Sequence, residues 1–213
     1  MIKTGLLGGS FNPAHRGHRR LSIHAARVLG LDEVWWLVSP GNPLKAGSDM
    51  APLGARLGSA RRGARGLPIR VTAIERELGT RYTVDTIRAL RRRFPRREFV
   101  WLMGADNLSQ FHRWREWRSI ARLVPIAVVS RPGYEEDARS ARAMGWLRRY
   151  VRPAGKARQW TRWSKPALVL LRLPPDPTSA TALRAADPDW HQKPDNSLNP
   201  TARRDGVTRR PLT

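Results

Sequence analysis

The sequence predicts an α/β fold in which helices cover both faces of a doubly wound parallel sheet. Mostly apolar segments alternate with helical stretches along the chain, as in repeated strand–helix–strand units. Two of the apolar segments, 34–38 and 126–129, are continuous, which is typical of parallel strands buried on both faces. The length of 213 residues suits one domain and is ample for a buried core.

The apolar segments define the strands of this sheet. Six strands are predicted, at about residues 2–8, 33–38, 69–74, 98–103, 126–130 and 168–173. Between the first two, residues 19–29 place Leu21, Ala25 and Val28 on one face of a helix. Gly30 can end that helix, because glycine readily adopts the left-handed conformation of a helix C-cap.

The remaining segments are helices, loops and a tail. Residues 83–90 are predicted to be helical, as are residues 134–150, whose acidic first turn and basic last turn match a helix dipole. Two segments, 40–52 and 153–166, interrupt the regular pattern, and we predict loops that can move over a ligand. The last segment, 187–213, is polar and rich in Pro, Asn and Arg, which predicts a poorly ordered tail.

The most informative segment follows the first strand, where two glycines precede two histidines in Gly8-Gly9-Ser10-Phe11-Asn12-Pro13-Ala14-His15-Arg16-Gly17-His18. Glycine lets the backbone approach a ligand closely, and the N–H groups at a helix start attract anions. The imidazoles of His15 and His18 can donate hydrogen bonds to phosphoryl oxygens and, if protonated, offset charge at a reacting phosphorus. The pattern therefore predicts a site for a nucleotide triphosphate.

Helix capping or metal binding is the competing interpretation of this histidine pair. The chain contains no cysteine, and no carboxylate follows closely to complete a zinc site. We therefore predict no metal ion held by the protein itself, and catalysis by charge stabilisation without a protein nucleophile.

Three further polar turns follow predicted strands, and the carboxyl ends of strands line the ligand crevice in such sheets. Gly104-Ala105-Asp106 follows the fourth strand, and Ser130-Arg131-Pro132-Gly133 follows the fifth. Thr178-Ser179-Ala180-Thr181-Ala182-Leu183-Arg184 comes after the sixth, where its hydroxyls and guanidinium can bind phosphate. Each of these segments is also typical of an ordinary turn or helix cap.

Together these blocks resemble the nucleotidyltransferases whose signature is Gly-Gly-[Ser/Thr]-Phe-[Asp/Asn]-Pro-x-His-x-Gly-His, and among them the nicotinate-nucleotide adenylyltransferases. The resemblance covers residues 2 to about 186 and implies one Rossmann-like nucleotidyltransferase domain at 1–186. It also implies transfer of AMP from ATP to nicotinate mononucleotide, with Mg²⁺ bound to the ATP. Nicotinate adenine dinucleotide and pyrophosphate are the implied products.

The same resemblance implies roles for individual residues. It assigns catalysis to His15, His18 and Arg184. It places ATP against Gly8, Gly9, Ser10, Phe11, His15, His18, Gly104, Asp106, Arg131, Ser179, Thr181 and Arg184.

Lys45, Thr83 and Trp114 match the family's acceptor-binding positions, with Trp114 stacking on the pyridine ring. Capping by Thr83, a core role for Trp114 and a solvated Lys45 are the competing interpretations. Arg115 stands where the family often has an aromatic residue, and its charge favours an acidic acceptor over its amide. Nicotinamide mononucleotide and phosphopantetheine are the alternative acceptors.

The chain carries a formal charge of +23 at pH 7, which is typical of proteins that bind nucleic acid. A basic nucleic-acid-binding protein is therefore the alternative from a different functional class. The arginines are scattered, however, as in Arg61-Arg62 and Arg91-Arg92-Arg93, and no RNA- or DNA-binding module is recognisable. We interpret them as solvated side chains whose field attracts anionic substrates. Neither a signal peptide nor a membrane span is evident, which favours a cytoplasmic enzyme.

Overall fold

A seven-stranded, entirely parallel sheet organises the computed structural model, which describes residues 1–41, 50–130, 139–173 and 190–192. The strand order in the described residues is β3-β2-β1-β4-β5-β7-β6. The strands are β1 (Ile2–Gly9), β2 (Glu33–Val38), β3 (Ile69–Thr72), β4 (Arg97–Gly104), β5 (Ile126–Ser130), β6 (Val151–Arg152) and β7 (Leu168–Arg172). The predicted doubly wound parallel sheet is confirmed, and its two-residue strand β6 was missed.

The helices connect these strands and cover the sheet. They are α1 (Arg16–Leu29), α2 (Leu53–Ala64), α3 (Ile74–Glu77), α4 (Thr83–Arg93), α5 (Ala105–Phe111) and α6 (Trp117–Leu123). A short α-helix follows at Met144–Leu147, with 3₁₀ helices at Arg148–Tyr150, Ala154–Arg162 and Trp190–Gln192. In the part of the chain that the structure describes, no helix is long and apolar enough to cross a membrane.

The order of the strands reverses beside β1. The chain runs outward from β1 through β2 to β3 and then returns to place β4 on the other side of β1. In an open parallel sheet, such a switch point leaves a crevice at the carboxyl ends of the two central strands. The loops that follow β1 and β4 therefore meet at one edge of the sheet.

Side chains alternate between two apolar layers, one on each face of the sheet. Leu6, Trp35 and Trp101 belong to one layer, whereas Leu7 and Trp36 belong to the other. All five are at most 3% exposed. Because both faces are packed, 34–38 of β2 and 126–129 of β5 are buried apolar runs, as the sequence predicted.

Helix α1 begins at Arg16, three residues earlier than the predicted stretch, because His15 caps it. The helix ends at Gly30, which has φ of 63° in the left-handed region, and the predicted C-cap is confirmed. Ala25 and Leu29 are buried on the face that packs against the sheet.

The prediction of a mobile loop at 153–166 is wrong. Most of this segment forms the 3₁₀ helix Ala154–Arg162, which packs against the C-terminal end of α1. Trp160 is 1% exposed, and its Nε1 donates a hydrogen bond to the carbonyl of Leu29 at 3.1 Å. The tryptophan thus anchors the segment at the end of α1 opposite to the histidines.

The predicted continuous helix over 134–150 is also wrong within its described part. The chain turns at 141–143 and continues as the short helix Met144–Leu147. Ala143 and Leu147 are fully buried in the core, so packing overrides the local helical pattern. Residues 134–138 lie outside the described residues.

Part of the predicted tail is folded. Trp190 is 7% exposed and belongs to a 3₁₀ helix that packs against α2. Within the segment predicted to be a poorly ordered tail, the side chain of Trp190 is thus buried against the domain. The rest of 187–213 lies outside the described residues.

Candidate active site

A cavity of about 770 Å³ opens at the carboxyl ends of β1 and β4, at the switch in strand order. Ten of the predicted site residues line it: Gly8, Gly9, Ser10, Phe11, His15, His18, Thr83, Gly104, Asp106 and Trp114. The fold thus brings residues of three separate sequence blocks to one place. The other predicted residues lie outside the described residues: Lys45, Arg131, Ser179, Thr181 and Arg184.

The two glycines belong to the end of β1 rather than to a loop. A Cβ at Gly8 would come within 2.7 Å of the indole ring of Trp101, and one at Gly9 within 3.4 Å of the Phe11 ring. Both glycines line the cavity, but aromatic rings of the protein occupy the space that a Cβ would need. The absent side chains therefore serve packing beneath the cavity as well as access to it.

His15 and His18 form a capping box at the start of α1. The N–H of Gly17 donates to Nδ1 of His15 at 3.1 Å, and the N–H of His15 donates to Nδ1 of His18 at 3.2 Å. The two imidazole centroids are 3.8 Å apart. Capping, one of the alternatives for this pair, is confirmed, and it fixes both rings at the cavity wall.

This capping also determines the tautomer of each ring. A ring nitrogen that accepts a hydrogen bond carries no hydrogen, so a neutral imidazole held in this way carries its hydrogen on Nε2. His15 and His18 are thereby arranged as Nε2 hydrogen-bond donors without needing a positive charge. Phosphoryl oxygens are suitable acceptors for such donors.

Phe11 packs against His18 and Trp36. Its ring centroid lies 4.7 Å from that of His18 and 5.0 Å from that of Trp36. Phe11 is 1% exposed and has φ of 48°, a left-handed conformation that costs a non-glycine residue roughly 1–2 kcal/mol. Burial of the ring compensates this strain and keeps the loop in one conformation.

The loop after β4 brings Asp106 to the cavity. Asp106 lies in the first turn of α5, where a carboxylate is favoured by the helix dipole. A Cβ at Gly104 would collide with Oδ1 of Asp106, so glycine at this position is required for the observed carboxylate placement.

The start of α4 and Trp114 form the other wall of the cavity, and they pack with the apolar layer on the sheet face opposite to α1. Tyr82 is the N-cap of α4 and makes no capping hydrogen bond through its side chain, and Thr83 is the first helical residue. The alternative that Thr83 caps this helix is therefore wrong. Trp114 is half-buried, and its ring packs edge-on against Trp101 at 6.0 Å and Phe111 at 5.4 Å.

Charged side chains connect Trp114's turn to α4. The guanidinium of Arg115 lies 4.7 Å from the centroid of the Tyr82 ring, a cation–π contact at the cavity wall. The neighbouring Glu116 accepts a hydrogen bond from Arg88 at 2.6 Å, and Arg88 also contacts Asp85 at 3.3 Å. The hydrogen bond from Arg88 lowers the pKa of the Glu116 carboxyl.

Two buried charged residues were missed by sequence reasoning. Arg56 is 1% exposed, and Glu75 is 7% exposed and lines the cavity. Burial raises the pKa of Glu75 to about 7, against a hydrogen bond from Thr86 at 3.2 Å that lowers it. No local signal distinguishes these two from the many exposed Arg and Glu residues of the chain.

Within the described ranges, no group of three or more His, Cys, Asp or Glu side chains is arranged to hold a metal ion. The carboxylate of Asp106 does line the cavity. Mg²⁺ typically takes one or two carboxylates together with phosphate oxygens and retained waters. The residues present therefore fit a cation that is carried by a nucleotide.

The parallel sheet, the switch-point cavity and the histidine pair at a helix start define a nucleotide-transferring enzyme fold. The chain belongs to the cytidylyltransferase-like family, whose model matches residues 6–186. This result confirms the resemblance that the sequence blocks indicated.

Within that family, two relatives share more than half of their aligned residues with this chain. A protein of Erythrobacter litoralis is 66% identical over 189 residues, which cover 89% of this chain and 86% of the relative. A protein of Parvibaculum lavamentivorans is 52% identical over 183 residues, covering 86% and 91%. Both are named probable nicotinate-nucleotide adenylyltransferase.

Solved structures share the fold. Nicotinic acid mononucleotide adenylyltransferase of Plasmodium falciparum, complexed with NaAD, matches with a TM-score of 0.65 at 14% identity. The match covers 87% of this chain and 83% of that one. At this identity the match supports the architecture of the sheet and its helices.

Proposed function

We propose that this protein transfers AMP from ATP to nicotinate mononucleotide, giving nicotinate adenine dinucleotide and pyrophosphate. The observation that carries the proposal is the paired capping of His15 and His18, which holds two imidazole donors at the wall of the cavity. The opposite wall supplies an aromatic ring, Trp114, and the N-terminus of α4 for a pyridine carboxylate. The relatives' names favour the same reaction.

In the proposed mechanism, a phosphate oxygen of the acceptor attacks the α-phosphorus of ATP in line. A new P–O bond forms as the bond to the β-phosphate bridging oxygen breaks, and pyrophosphate leaves with that electron pair. His15 and His18 donate hydrogen bonds to the reacting phosphate as negative charge builds on its oxygens. The chain provides positioning and charge stabilisation, and no covalent enzyme intermediate forms.

The remaining assignments belong to the same proposal. Arg184, Ser179 and Thr181 hold the outer phosphates, and Arg131 and Asp106 contact the adenosine side. Lys45 and Thr83 contact the acceptor. The support for these roles is the match of each residue to the family's motif and, for Asp106 and Thr83, their position in the cavity wall.

Mg²⁺ is part of the proposal as a cation bound to ATP. It supplies positive charge that offsets the charge of the phosphate oxygens. Its other ligands are mostly waters, so the cation is bound through the nucleotide rather than by side chains. We also propose a cytoplasmic location, since ATP is the donor.

Pyrophosphate release from ATP and Mg²⁺ tests the reaction directly. Nicotinate mononucleotide, nicotinamide mononucleotide and phosphopantetheine are supplied in separate assays. We expect turnover with nicotinate mononucleotide to exceed turnover with the other two at least tenfold. Equal or greater turnover with another acceptor would show that nicotinate mononucleotide is not the preferred acceptor. Salt-sensitive binding of nucleic acid with no pyrophosphate release would favour the alternative functional class.

A further inference from the structure

Arg56 is a buried cation whose guanidinium is held entirely by main-chain oxygens. It lies in α2 and is 1% exposed. Its Nε donates to the carbonyl of Ala51 at 2.8 Å, and Nη1 donates to the carbonyls of Ser10 at 2.8 Å and Ser39 at 2.7 Å. Nη2 donates to the carbonyl of Pro40 at 3.3 Å. These acceptors belong to the segments after β1, after β2 and before α2.

The charge of Arg56 has no partner carboxylate among the described residues, since all four acceptors are neutral carbonyls. Buried cations are usually paired, because removing a charge from water is costly. Burial accordingly lowers the pKa of Arg56. Ser10 and Ser39, two of the residues it binds, line the cavity, so an anion bound there would lie close to this positive charge.

Arg56 also fixes the orientation of the peptide that carries the strained Phe11. The carbonyl of Ser10 and the N–H of Phe11 belong to one trans peptide and point in opposite directions. Holding the carbonyl on Arg56 therefore turns the N–H of Phe11 away from Arg56, within a segment that lines the cavity. Successive N–H groups around a left-handed residue form an anion-binding concavity.

Further hydrogen bonds attach this loop to α2 and the segment before it. The N–H of Ala51 donates to Oδ1 of Asn12 at 3.1 Å, and the N–H of Ala14 donates to the hydroxyl of Ser59 at 3.1 Å. Because the Phe11 ring lies against His18, a shift of this loop would also shift His18. Helix α2, which itself lines no part of the cavity, thus determines the shape of the loop that does.

We propose that Arg56 is a positioning residue for the triphosphate of ATP. It holds the loops after β1 and β2 in an anion-accepting geometry and provides a buried positive charge that bound phosphate partly neutralises. The inference deepens the proposed function, on which its choice of ATP as ligand rests.

The test compares ATP binding by wild type, Arg56→Lys and Arg56→Met, measured by calorimetric titration without any acceptor. Arg19→Met is the matched control, because Arg19 also donates to two carbonyls, those of Gly63 and Arg65, but lies outside the cavity wall. Lysine keeps the charge but cannot reproduce the fork of donors. We expect the Kd for ATP to rise about tenfold in Arg56→Lys and about a hundredfold in Arg56→Met, as for losing hydrogen bonds to a charged group.

The KM for the acceptor separates positioning from general loss of structure. We expect it to change less than about twofold in Arg56→Lys, because that variant retains the charge and the helix. An ATP affinity within twofold of wild type in Arg56→Lys would overturn the inference, as would equal weakening of both substrates. If wild type binds ATP but fails to use nicotinate mononucleotide, the proposed function fails while the ATP titrations still decide the role of Arg56.

Discussion

The two walls of the cavity are built from different kinds of contact. On the side of the histidines, Phe11 and Arg56 are each 1% exposed, and hydrogen bonds between side chains and the main chain fix the loop. On the side of Trp114, the linking ion pair joins Arg88 and Glu116, whose side chains are 37% and 42% exposed. Exposed ion pairs contribute little to stability, whereas disturbing buried packing is costly. The wall with His15 and His18, which we propose faces the reacting phosphates, is therefore held by buried contacts. The wall with Trp114, called the acceptor wall for the substrate we propose it binds, has an exposed ion pair that contributes little to stability.

The largest expected effect is on the wall with His15 and His18, in His18→Ala. Loss of one preorganised donor to a transition-state oxyanion typically lowers kcat by about 10²–10³-fold. The Tm should fall by only a few degrees, because the lost cap contributes about 1 kcal/mol. Steady-state pyrophosphate release and thermal unfolding measure the two effects.

His24→Ala is the matched control, since His24 lies in the same helix and outside the cavity wall. Its kcat should stay within about twofold of wild type, as expected for a site far from the reacting groups. A His18→Ala variant with near-normal turnover would contradict the catalytic assignment.

Glu75 lines the cavity, accepts a hydrogen bond from Thr86 of α4, and gives the stability of the protein a pH dependence. The folded carboxyl titrates with a pKa of about 7, above the ordinary value of 4.5. The contribution of Glu75 to stability is therefore fully present below pH 4.5 and is lost as pH rises through 7, by on the order of 3 kcal/mol in total. Glu75→Gln should remove this loss and give a higher free energy of unfolding at pH 8.

Urea unfolding between pH 4 and pH 8 measures this difference. Glu77→Gln in the same short helix is the control, because Glu77 is exposed. Parallel stability curves for wild type and Glu75→Gln would show that the buried carboxyl does not titrate in this range. Below pH 7 the Glu75 carboxyl is mostly neutral and adds little negative charge to the cavity that it lines.

Trp114→Ala tests the acceptor wall itself. Stacking of a base on an aromatic side chain contributes about 1–3 kcal/mol, so the acceptor KM should rise roughly tenfold or more. The KM for ATP should change little, because the ring lies on the opposite wall from the histidines. Trp146→Ala removes another half-buried tryptophan outside the cavity and serves as the control. An equal rise in the KM for ATP and in the KM for the acceptor would contradict the inference that the two substrates bind to different walls.

The smallest expected effect concerns Arg115, at a position where the family often has an aromatic residue. In Arg115→Gln, the preference for nicotinate over nicotinamide mononucleotide should fall about three- to fivefold, as for loss of one exposed charge contact. The ratio of kcat/KM values for the two acceptors measures it. Arg118→Gln, which removes a guanidinium stacked on Trp117 at 4.9 Å outside the cavity wall, should leave the ratio unchanged.

The sequence predicts those parts of the site that depend on local pattern. The glycine–histidine block and the Asp106 turn are contiguous, and the alternation of strands and helices places both at one sheet edge. Arg56 was not predictable, because its function depends on carbonyls at residues 10, 39, 40 and 51, which only the fold assembles. The prediction of a mobile loop at 153–166 was wrong for a related reason. Trp160 donates its hydrogen bond to the carbonyl of Leu29, which is 131 residues away in the sequence.

Glu75 illustrates a second limit. Its raised pKa results from burial by residues distant in sequence, and a four-residue helix carries no pattern that reveals burial. The helix predicted over 134–150 shows the converse case in its described part, where Ala143 and Leu147 pack into the core and the chain turns at 141–143.

The central position of β1 has a consequence for how the protein is made. β1 pairs with β4 in a register that matches Ile2 with Arg97. This pairing can therefore form only after nearly half of the chain has been synthesised. At about 5–20 residues per second of synthesis, this delay is roughly 5–20 s. Through that interval the nascent chain exposes an apolar strand edge beside the glycine–histidine block. The edge of β1 that pairs with β4 is therefore completed only after residue 102 has been synthesised.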